Sequence, residues 1–221
     1  MIYPECGRIR KLYDGVNPRI YSQEENEMHE LGDSPSHEVL GKALIQSPWM
    51  VPAMRYAGLH LRVVVSDKGQ FLRPEDASKL QHFFNLVHHV PMYSHGKVTP
   101  WCSAFVNGCM NEAGIPGTND ASARSWMHWG IAARPPYRFG DVAVFGREDR
   151  ENPYAGHVGF AVGVIPPSRI AVLGGNQRHE VMVRRYPVAK ESVGNVGSMW
   201  LLGCRRYTLL ADIDDPVVLK S

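Results

Sequence analysis

The chain has few cysteines, no long apolar segment and no excess of charge of either sign. Four cysteines in 221 residues, with no Cys-X-X-Cys pair, lack the spacing of a zinc ribbon or a disulfide scaffold, so free thiols are expected. The formal net charge is +2 without a long basic run, so nucleic acid is not an expected partner. No stretch approaches the roughly 18 consecutive apolar residues of a membrane span, so membrane insertion is not expected. The composition, 44% hydrophobic and 21% charged, is that of a folded globular chain.

The N-terminal region also lacks the pattern of a signal peptide. Charged residues interrupt MIYPECGRIRKLYDG where such a leader needs an apolar core. Residues 1–47 are polar and rich in turn formers, and we expect them to be an extension lying on the surface of a domain. The His-Glu pairs at His29 and His37 do not continue as HExxH, so no metal site is expected there.

Apolar periodicity predicts helices in the first half of the chain and strands in the second. Helices are expected to open at Arg73-Pro74 and after Thr99. Alternating runs typical of strands follow at 141–145, 157–165, 169–173, 180–186 and 198–207. Helices followed by an antiparallel strand series are typical of α+β folds and not of βαβ repeats. We therefore predict an α+β fold in which helices pack on an antiparallel sheet of about five strands.

The segment TPWCSAFVNGC, residues 99–109, places a cysteine at the predicted start of a helix. With Thr99 as the N-cap and Pro100 as the first helical residue, Cys102 lies in the first turn. Free backbone N–H groups and the positive end of the helix dipole should lower the pKa of its thiol and favour the nucleophilic thiolate. The position by itself fits a buried core cysteine equally well. Cys109, about two turns further on, is predicted to be a packing residue.

A catalytic cysteine needs a base and a group that orients the base. His157 begins a predicted strand directly after a turn-rich loop, so its imidazole is expected at the rim of the sheet. The next strand ends in GGNQ, residues 174–177, where a side-chain amide can accept from an imidazole nitrogen and fix its tautomer. A histidine that merely opens a strand and a Gly-Gly hairpin turn are the alternatives. Together the three positions form a coherent set of nucleophile, base and orienting group.

Four segments follow one another in the order PWCSAFVN, RFGDVAVF, GHVGFAVG and VLGGNQ. This order resembles the NlpC-type papain-fold cell-wall peptidases and their relatives, the CHAP amidases, over roughly residues 48–207. The resemblance implies a papain-like NlpC/CHAP fold and a cysteine hydrolase that cleaves peptide or amide bonds of peptidoglycan. It implies no cofactor and no metal. Residues 208–221 would then be a C-terminal tail.

The resemblance also assigns catalytic roles, motif by motif. It makes Cys102 the nucleophile, His157 the general base and Asn176 the third catalytic residue. Gln177 is the alternative for the third place. A glutamate common in CHAP relatives two residues before the asparagine is replaced here by Gly174, so a Cys-His-Glu triad is not supported.

Three residues are predicted to bind substrate, namely Trp101, Trp126 and Gln177. Trp101 is expected to pack beside the nucleophile, and Trp126, together with Trp129 in SWMHWG, is expected to line a groove for the glycopeptide. For Trp126 a place in the buried core is an equally good interpretation, because its large ring suits both positions. Asp141, in the second segment, is expected to anchor a turn at the start of a strand and to take no part in catalysis.

The biological setting expected from these features is a secreted antibacterial toxin, similar to a type VI effector. Such a protein would be made in the cytoplasm without a signal peptide and would act on the peptidoglycan of a target cell's periplasm. A cognate immunity protein is then an expected partner. The alternatives are a phage endolysin-type lysin and a catalytically inactive wall-binding or protein-binding module on the same fold.

Overall fold

The computed structural model describes residues 37–60, 63–66, 69–72, 74–88, 93–94, 97–149, 152–193 and 197–208. The helices in these ranges are α1 (His37–Gln46), α2 (Met50–Arg55), α3 (Pro74–Leu86), α4 (Cys102–Glu112) and a 3₁₀ helix (Ala123–His128). Two short hairpins are formed by β1 (Val63–Ser66) with β2 (Gly69–Leu72) and by β3 (Tyr93–Ser94) with β4 (Lys97–Val98). None of the helices in the described ranges is long and apolar enough to cross a membrane.

The remaining strands form one antiparallel sheet. They are β5 (Ile131–Ala133), β6 (Val142–Arg147), β7 (Gly156–Ile165), β8 (Arg169–Gln177), β9 (Glu180–Pro187), β10 (Glu191–Ser192) and β11 (Ser198–Arg206). Their order is β10-β11-β6-β7-β8-β9, and β5 also pairs with β11. The α+β class is confirmed, but the predicted number of about five strands is wrong, because the described residues form seven. The two unpredicted strands, β5 and β10, are too short to show an alternating pattern.

The sheet has a core on each face. Helix α4 covers one face, where the Phe105 ring meets Phe83 of α3 at 6.1 Å and Phe160 of β7 at 6.2 Å. The other face holds a second cluster built from strand residues, including Phe145 and Tyr186. The backbone N–H of Leu201 in β11 donates to the carbonyl of Val188, just past β9, at 3.1 Å. The sheet therefore curls around this second cluster.

The predicted N-terminal extension falls partly outside the described residues. Its last part forms α1, and Leu44 of that helix packs against the core on the α4 side. The Ser47 hydroxyl then donates to the Phe139 carbonyl at 3.0 Å, which ties this connection to the start of the sheet. The His29 pair lies outside the described residues. The domain boundaries at 47/48 and 207/208 stay predictions.

Helix α4 begins two residues later than a Thr99 cap requires. Trp101 is the residue before the helix, with φ −132° and ψ 17°, and its own side chain forms no capping hydrogen bond. The prediction of Thr99 as N-cap is therefore wrong. Because Trp101 is not helical, Cys102 becomes the first helical residue, and its backbone N–H has no acceptor within the helix.

The end of α4 follows the predicted pattern. Gly114 has φ +72°, a left-handed conformation that glycine adopts at low cost. Its N–H donates to the Asn111 carbonyl at 2.9 Å, and the N–H of Ile115 donates to the Met110 carbonyl at 2.9 Å. These two bonds form a Schellman motif, so the prediction that Gly114 ends the helix is confirmed.

Asp141 joins the start of β6 to the end of β11. Its carboxylate accepts the backbone N–H of Arg138 at 2.8 Å. Arg206 donates to both carboxylate oxygens, at 2.8 Å from Nε and 2.7 Å from Nη2. Asp141 is buried, so this bidentate pairing supplies the partners that a buried charge requires. The contacts confirm the anchoring role predicted for this residue.

The approach of β8 to α4 is closest at Gly175. A Cβ atom on this residue would lie 2.5 Å from Cζ3 of Trp101 and 2.7 Å from Cβ of Phe105. Both neighbours are fully buried and cannot move aside easily. The strand can reach this close to the helix only because the residue has no side chain.

Gly175→Ala is therefore expected to lower the free energy of unfolding by about 1–3 kcal/mol, because the added methyl group overpacks the contact. Chemical denaturation measures this change. Gly163→Ala in β7 is the matched control, since no heavy atom lies within 4 Å of its Cβ position. Equal stability of the two variants would contradict the prediction.

Candidate active site

The thiol of Cys102 is enclosed at the place where α4 meets β7. The side chain is buried, and hydrogen bonding to the backbone N–H groups of Val158, Ser103 and Cys102 itself favours the thiolate and lowers its pKa. Burial raises the pKa of the thiol and outweighs these donors and the charge of Arg147, which lower it. The predicted lowering of the Cys102 pKa at the helix start is therefore wrong in this resting structure.

His157 immediately precedes Val158 in β7. It pairs with Phe145 across the β6–β7 ladder and is 8% exposed. Its ring lies 5.2 Å from the ring of Tyr186 and 6.4 Å from that of Phe145. The chain thus brings Cys102 to the start of β7, at the rim of the sheet, where the predicted base lies.

The imidazole of His157 is held in its neutral form. Burial lowers its pKa to about 4, and the positive charges of Arg184 and Arg147 lower it too, while hydrogen bonding to the Gln177 side chain raises it. The resting pair therefore consists of a thiol and a neutral imidazole. In this state the imidazole can accept a proton and act as a base.

The two ring nitrogens of His157 have different surroundings. Nε2 is buried and has no hydrogen-bond partner within the described part of the chain. A Cβ atom on Gly174 would lie 3.3 Å from this nitrogen and 3.4 Å from Nε2 of Gln177. Nε2 therefore faces Gly174 and the Gln177 amide, away from solvent.

A β-bulge explains why Gln177 reaches this position. Gly174 pairs with Met182 and Gln177 with Glu180, so two residues of β8 lie opposite one residue of β9. Strict alternation would turn residues 174 and 177 to opposite faces of the sheet, but the extra residue restores the same face. Gln177 consequently takes up the space that a side chain at residue 174 would occupy.

The Gln177 amide is fully enclosed by partners. The side chain is 1% exposed. Its Nε2 donates to the carbonyl of Gly174 at 3.0 Å, to that of Val172 at 3.3 Å and to that of Met182. Its Oε1 accepts the Tyr186 hydroxyl at 2.6 Å. This burial leaves Gln177 no surface for the predicted substrate contact.

Asn176 is the extra residue of the bulge. It has φ +59°, and its side chain forms no hydrogen bond with any residue that the structure describes. The structure thus brings the Gln177 amide to His157 and does not bring that of Asn176. A signal for the bulge was present in the sequence, because asparagine tolerates positive φ better than other non-glycine residues.

The tryptophans predicted to bind substrate are buried. Trp101 is 1% exposed and Trp126 is 0% exposed. The Trp101 ring packs on Phe105 at 6.4 Å, and its Nε1 is buried without a partner in the described part of the chain. Neither ring presents a surface to a substrate, so the burial contradicts the substrate contact predicted for both and supports the core position considered for Trp126.

Two polar side chains of α4 hold the helix from within the core. The Ser103 hydroxyl donates to the Asp120 carbonyl at 2.6 Å and accepts the indole N–H of Trp126 at 2.9 Å. Asn107 accepts the backbone N–H of Asn119 at 2.8 Å. The sequence did not lead us to predict this role for Ser103 and Asn107, although both belong to the segment PWCSAFVN.

Comparison with known proteins bears on the same region. The family model of the CHAP domain matches residues 94–176. This span is less than half of the chain; it contains Cys102 and His157 and ends at Asn176. It supports a CHAP-type peptidoglycan hydrolase. No curated protein and no solved structure matches the chain.

The buried neutral imidazole predicts a loss of stability in mild acid. As pH falls below 6.5 the unfolded chain binds a proton at His157, whereas the folded chain binds it only near pH 4. The unfolded state therefore holds more protons between these values, and the free energy of unfolding decreases as pH falls. We expect this residue to contribute about 3 kcal/mol to the decrease, complete below the lower value.

Denaturation curves across this pH range test the expectation. His157→Gln cannot take up the proton and should show a clearly smaller decrease than the wild type. Some decrease should remain, because burial and the nearby His60 also lower the pKa of His179. His128→Gln, on an exposed side chain, is the matched control. Identical pH dependence of the wild type and His157→Gln would contradict the prediction.

Proposed function

We propose that this protein is a cysteine-type peptidoglycan hydrolase of the NlpC/CHAP kind, with a papain-like arrangement of its catalytic groups. One observation carries the proposal. Cys102, at the first position of α4, and His157, at the start of β7, are both buried, and the backbone N–H of Val158, which follows His157, favours the Cys102 thiolate. A nucleophile and a base thus come together within the span that matches the CHAP domain.

The proposed reaction begins from the neutral pair. Nδ1 of His157 takes the thiol proton while the sulfur of Cys102 attacks the carbonyl carbon of a peptide or amide bond. The backbone N–H of Cys102 has no helical acceptor and stabilises the oxyanion that forms. The imidazolium then gives its proton to the leaving amine, and a thioester joins the acyl group to the enzyme.

Water completes the proposed cycle. His157, neutral again, removes a proton from a water molecule that attacks the thioester carbonyl. The bond between carbon and sulfur breaks, the sulfur recovers a proton from the imidazolium, and a carboxylic acid is released. No residue needs to change its oxidation state, and the net reaction is hydrolysis.

For the third group, the position of the Gln177 amide beside the buried Nε2 of His157 favours Gln177. Its side chain stabilises the protonated ring, as an orienting acceptor must. The short arm of Asn176 is on the bulge and lacks such a contact. We therefore propose Gln177 for the third place and Asn176, the first choice of the family resemblance, as the alternative.

Cys102→Ala is expected to reduce the release of soluble fragments from purified sacculi by at least about a thousandfold, because no other group supplies the nucleophile. Mass spectrometry of the wild-type products identifies the bond that is cut. Cys109→Ala is the matched control, since Cys109 lies two turns away in the apolar core. Normal digestion by Cys102→Ala, at a retained fold, would refute the cysteine mechanism.

Two further variants decide the third group. Gln177→Met removes the amide and should lower kcat at least about tenfold through loss of ring orientation. Asn176→Gly deletes the other amide while allowing the positive φ of the bulge, and it should retain activity. The reverse result would assign the third place to Asn176. Circular dichroism of both variants checks that the fold is kept.

The proposed setting is a secreted antibacterial toxin resembling a type VI effector, which acts on peptidoglycan in the periplasm of a target bacterium. A cognate immunity protein is then the partner that protects the producing strain. A phage endolysin-type lysin is the alternative, and it would need no dedicated inhibitor. A stoichiometric protein inhibitor from the producing strain would favour the toxin. If the protein is an inactive binding module, the wild type should digest sacculi no better than the Cys102→Ala variant does.

A further inference from the structure

We propose that Tyr186 is a positioning residue that holds the Gln177 carbonyl oxygen where His157 requires it. The inference rests on the proposed role of His157 as the base. Tyr186 lies on β9, two strands away from His157, and does not belong to any of the four segments that carry the family resemblance.

Direct contacts join Tyr186 to both members of the pair. Its hydroxyl donates to Oε1 of Gln177 at 2.6 Å in a buried environment. Its ring lies 5.2 Å from the imidazole of His157 and 4.9 Å from the Phe145 ring, and only 3% of the residue is exposed. The phenol is thus held by packing and cannot turn away from the amide.

The chemistry of the neighbours fixes the direction of each hydrogen bond. The carbonyl groups of Gly174 and Met182 can only accept, so the nitrogen of the Gln177 amide must face them. The amide oxygen is therefore the atom turned towards Tyr186. This assignment does not depend on which way the amide is drawn.

The other partner of the phenol is also defined. The Gln177 amide oxygen can only accept, so the Tyr186 hydroxyl commits its own hydrogen to that oxygen. The Cζ of Arg184 lies 5.8 Å from the centre of the Tyr186 ring, over its face. Burial also raises the pKa of Tyr186 well above its ordinary value, so the hydroxyl keeps this hydrogen.

The consequence for His157 concerns its tautomer. Nε2 is buried without a hydrogen-bond partner among the described residues, and the Gln177 oxygen that Tyr186 holds is the acceptor proposed for a hydrogen there. The form with hydrogen on Nε2 leaves Nδ1 free to accept the thiol proton. The strand carbonyls determine which end of the amide is nitrogen, and Tyr186 determines where the oxygen lies. Without the hydroxyl, Oε1 loses its strong donor and can move away from the imidazole.

The test is nitrogen NMR of labelled histidine in the full chain, combined with kinetics. We expect the Nε2–H tautomer at His157 in the wild type. Tyr186→Phe should increase the Nδ1–H form and lower kcat about tenfold with little change in KM, because orientation of the base is lost. Tyr154→Phe, on a side chain that is 75% exposed, is the matched control and should behave like the wild type.

A double-mutant cycle with Gln177→Met tests whether Tyr186 acts through the amide. In that background Tyr186→Phe should cause no further change in tautomer or kcat. Additive effects of the two substitutions would overturn the proposal, as would a Tyr186→Phe variant that matches Tyr154→Phe. If Tyr186→Phe does not fold, the NMR spectrum of the wild type is the test, because an Nδ1–H tautomer at His157 would overturn the proposal.

The NMR measurement needs no substrate. A wild-type protein that shows the Nε2–H tautomer and its loss in Tyr186→Phe, yet digests no sacculi, would refute the proposed function and leave the positioning role intact. A protein that digests sacculi, but whose His157 tautomer is unchanged in Tyr186→Phe, would support the proposed function and refute the positioning role.

Discussion

The candidate site depends on how closely the start of α4 can approach the rim of the sheet. The absent side chain of Gly175 lets β8 lie against Trp101 and Phe105, so the first turn of the helix reaches β7. The backbone N–H of Val158 in that strand then favours the thiolate form of Cys102. The buried hydroxyl of Ser103 holds the helix from behind. A helix start displaced by even one side-chain thickness would separate the nucleophile from the base.

Burial has two consequences at this contact, and they act together. It removes water from the Cys102 thiol and from the imidazole of His157, so both rest uncharged. Burial also increases the energetic weight of each hydrogen bond near the imidazole, because each polar group there has few possible partners. The Tyr186 hydroxyl donates to the Gln177 amide, which lies beside the imidazole. The second core of the sheet thus holds polar partners as well as apolar side chains.

Much of the architecture was predictable because it follows from local pattern. Alternating runs marked the five long strands, and Gly114 marked the end of α4, since both depend on neighbouring residues alone. The start of α4 was misjudged because Thr99 and Pro100 are good residues for a first turn, yet the conformation of Trp101 delays the helix. The short strands β5 and β10 exist only through pairing with β11, which no local pattern reveals.

The sequence by itself determined the order of helices and strands, the pairing of Cys102 with His157 as candidates, and the anchoring role of Asp141. The first two rest on residue type and on spacing along the chain, and the role of Asp141 rests on the family resemblance. Only the tertiary structure decided that Gln177 reaches the imidazole, because a bulge moves it to the inner face and leaves Asn176 outside the ladder. It also decided the protonation of the pair. Burial is a property of the packed chain, and here it outweighs the field of the helix start that the sequence led us to expect.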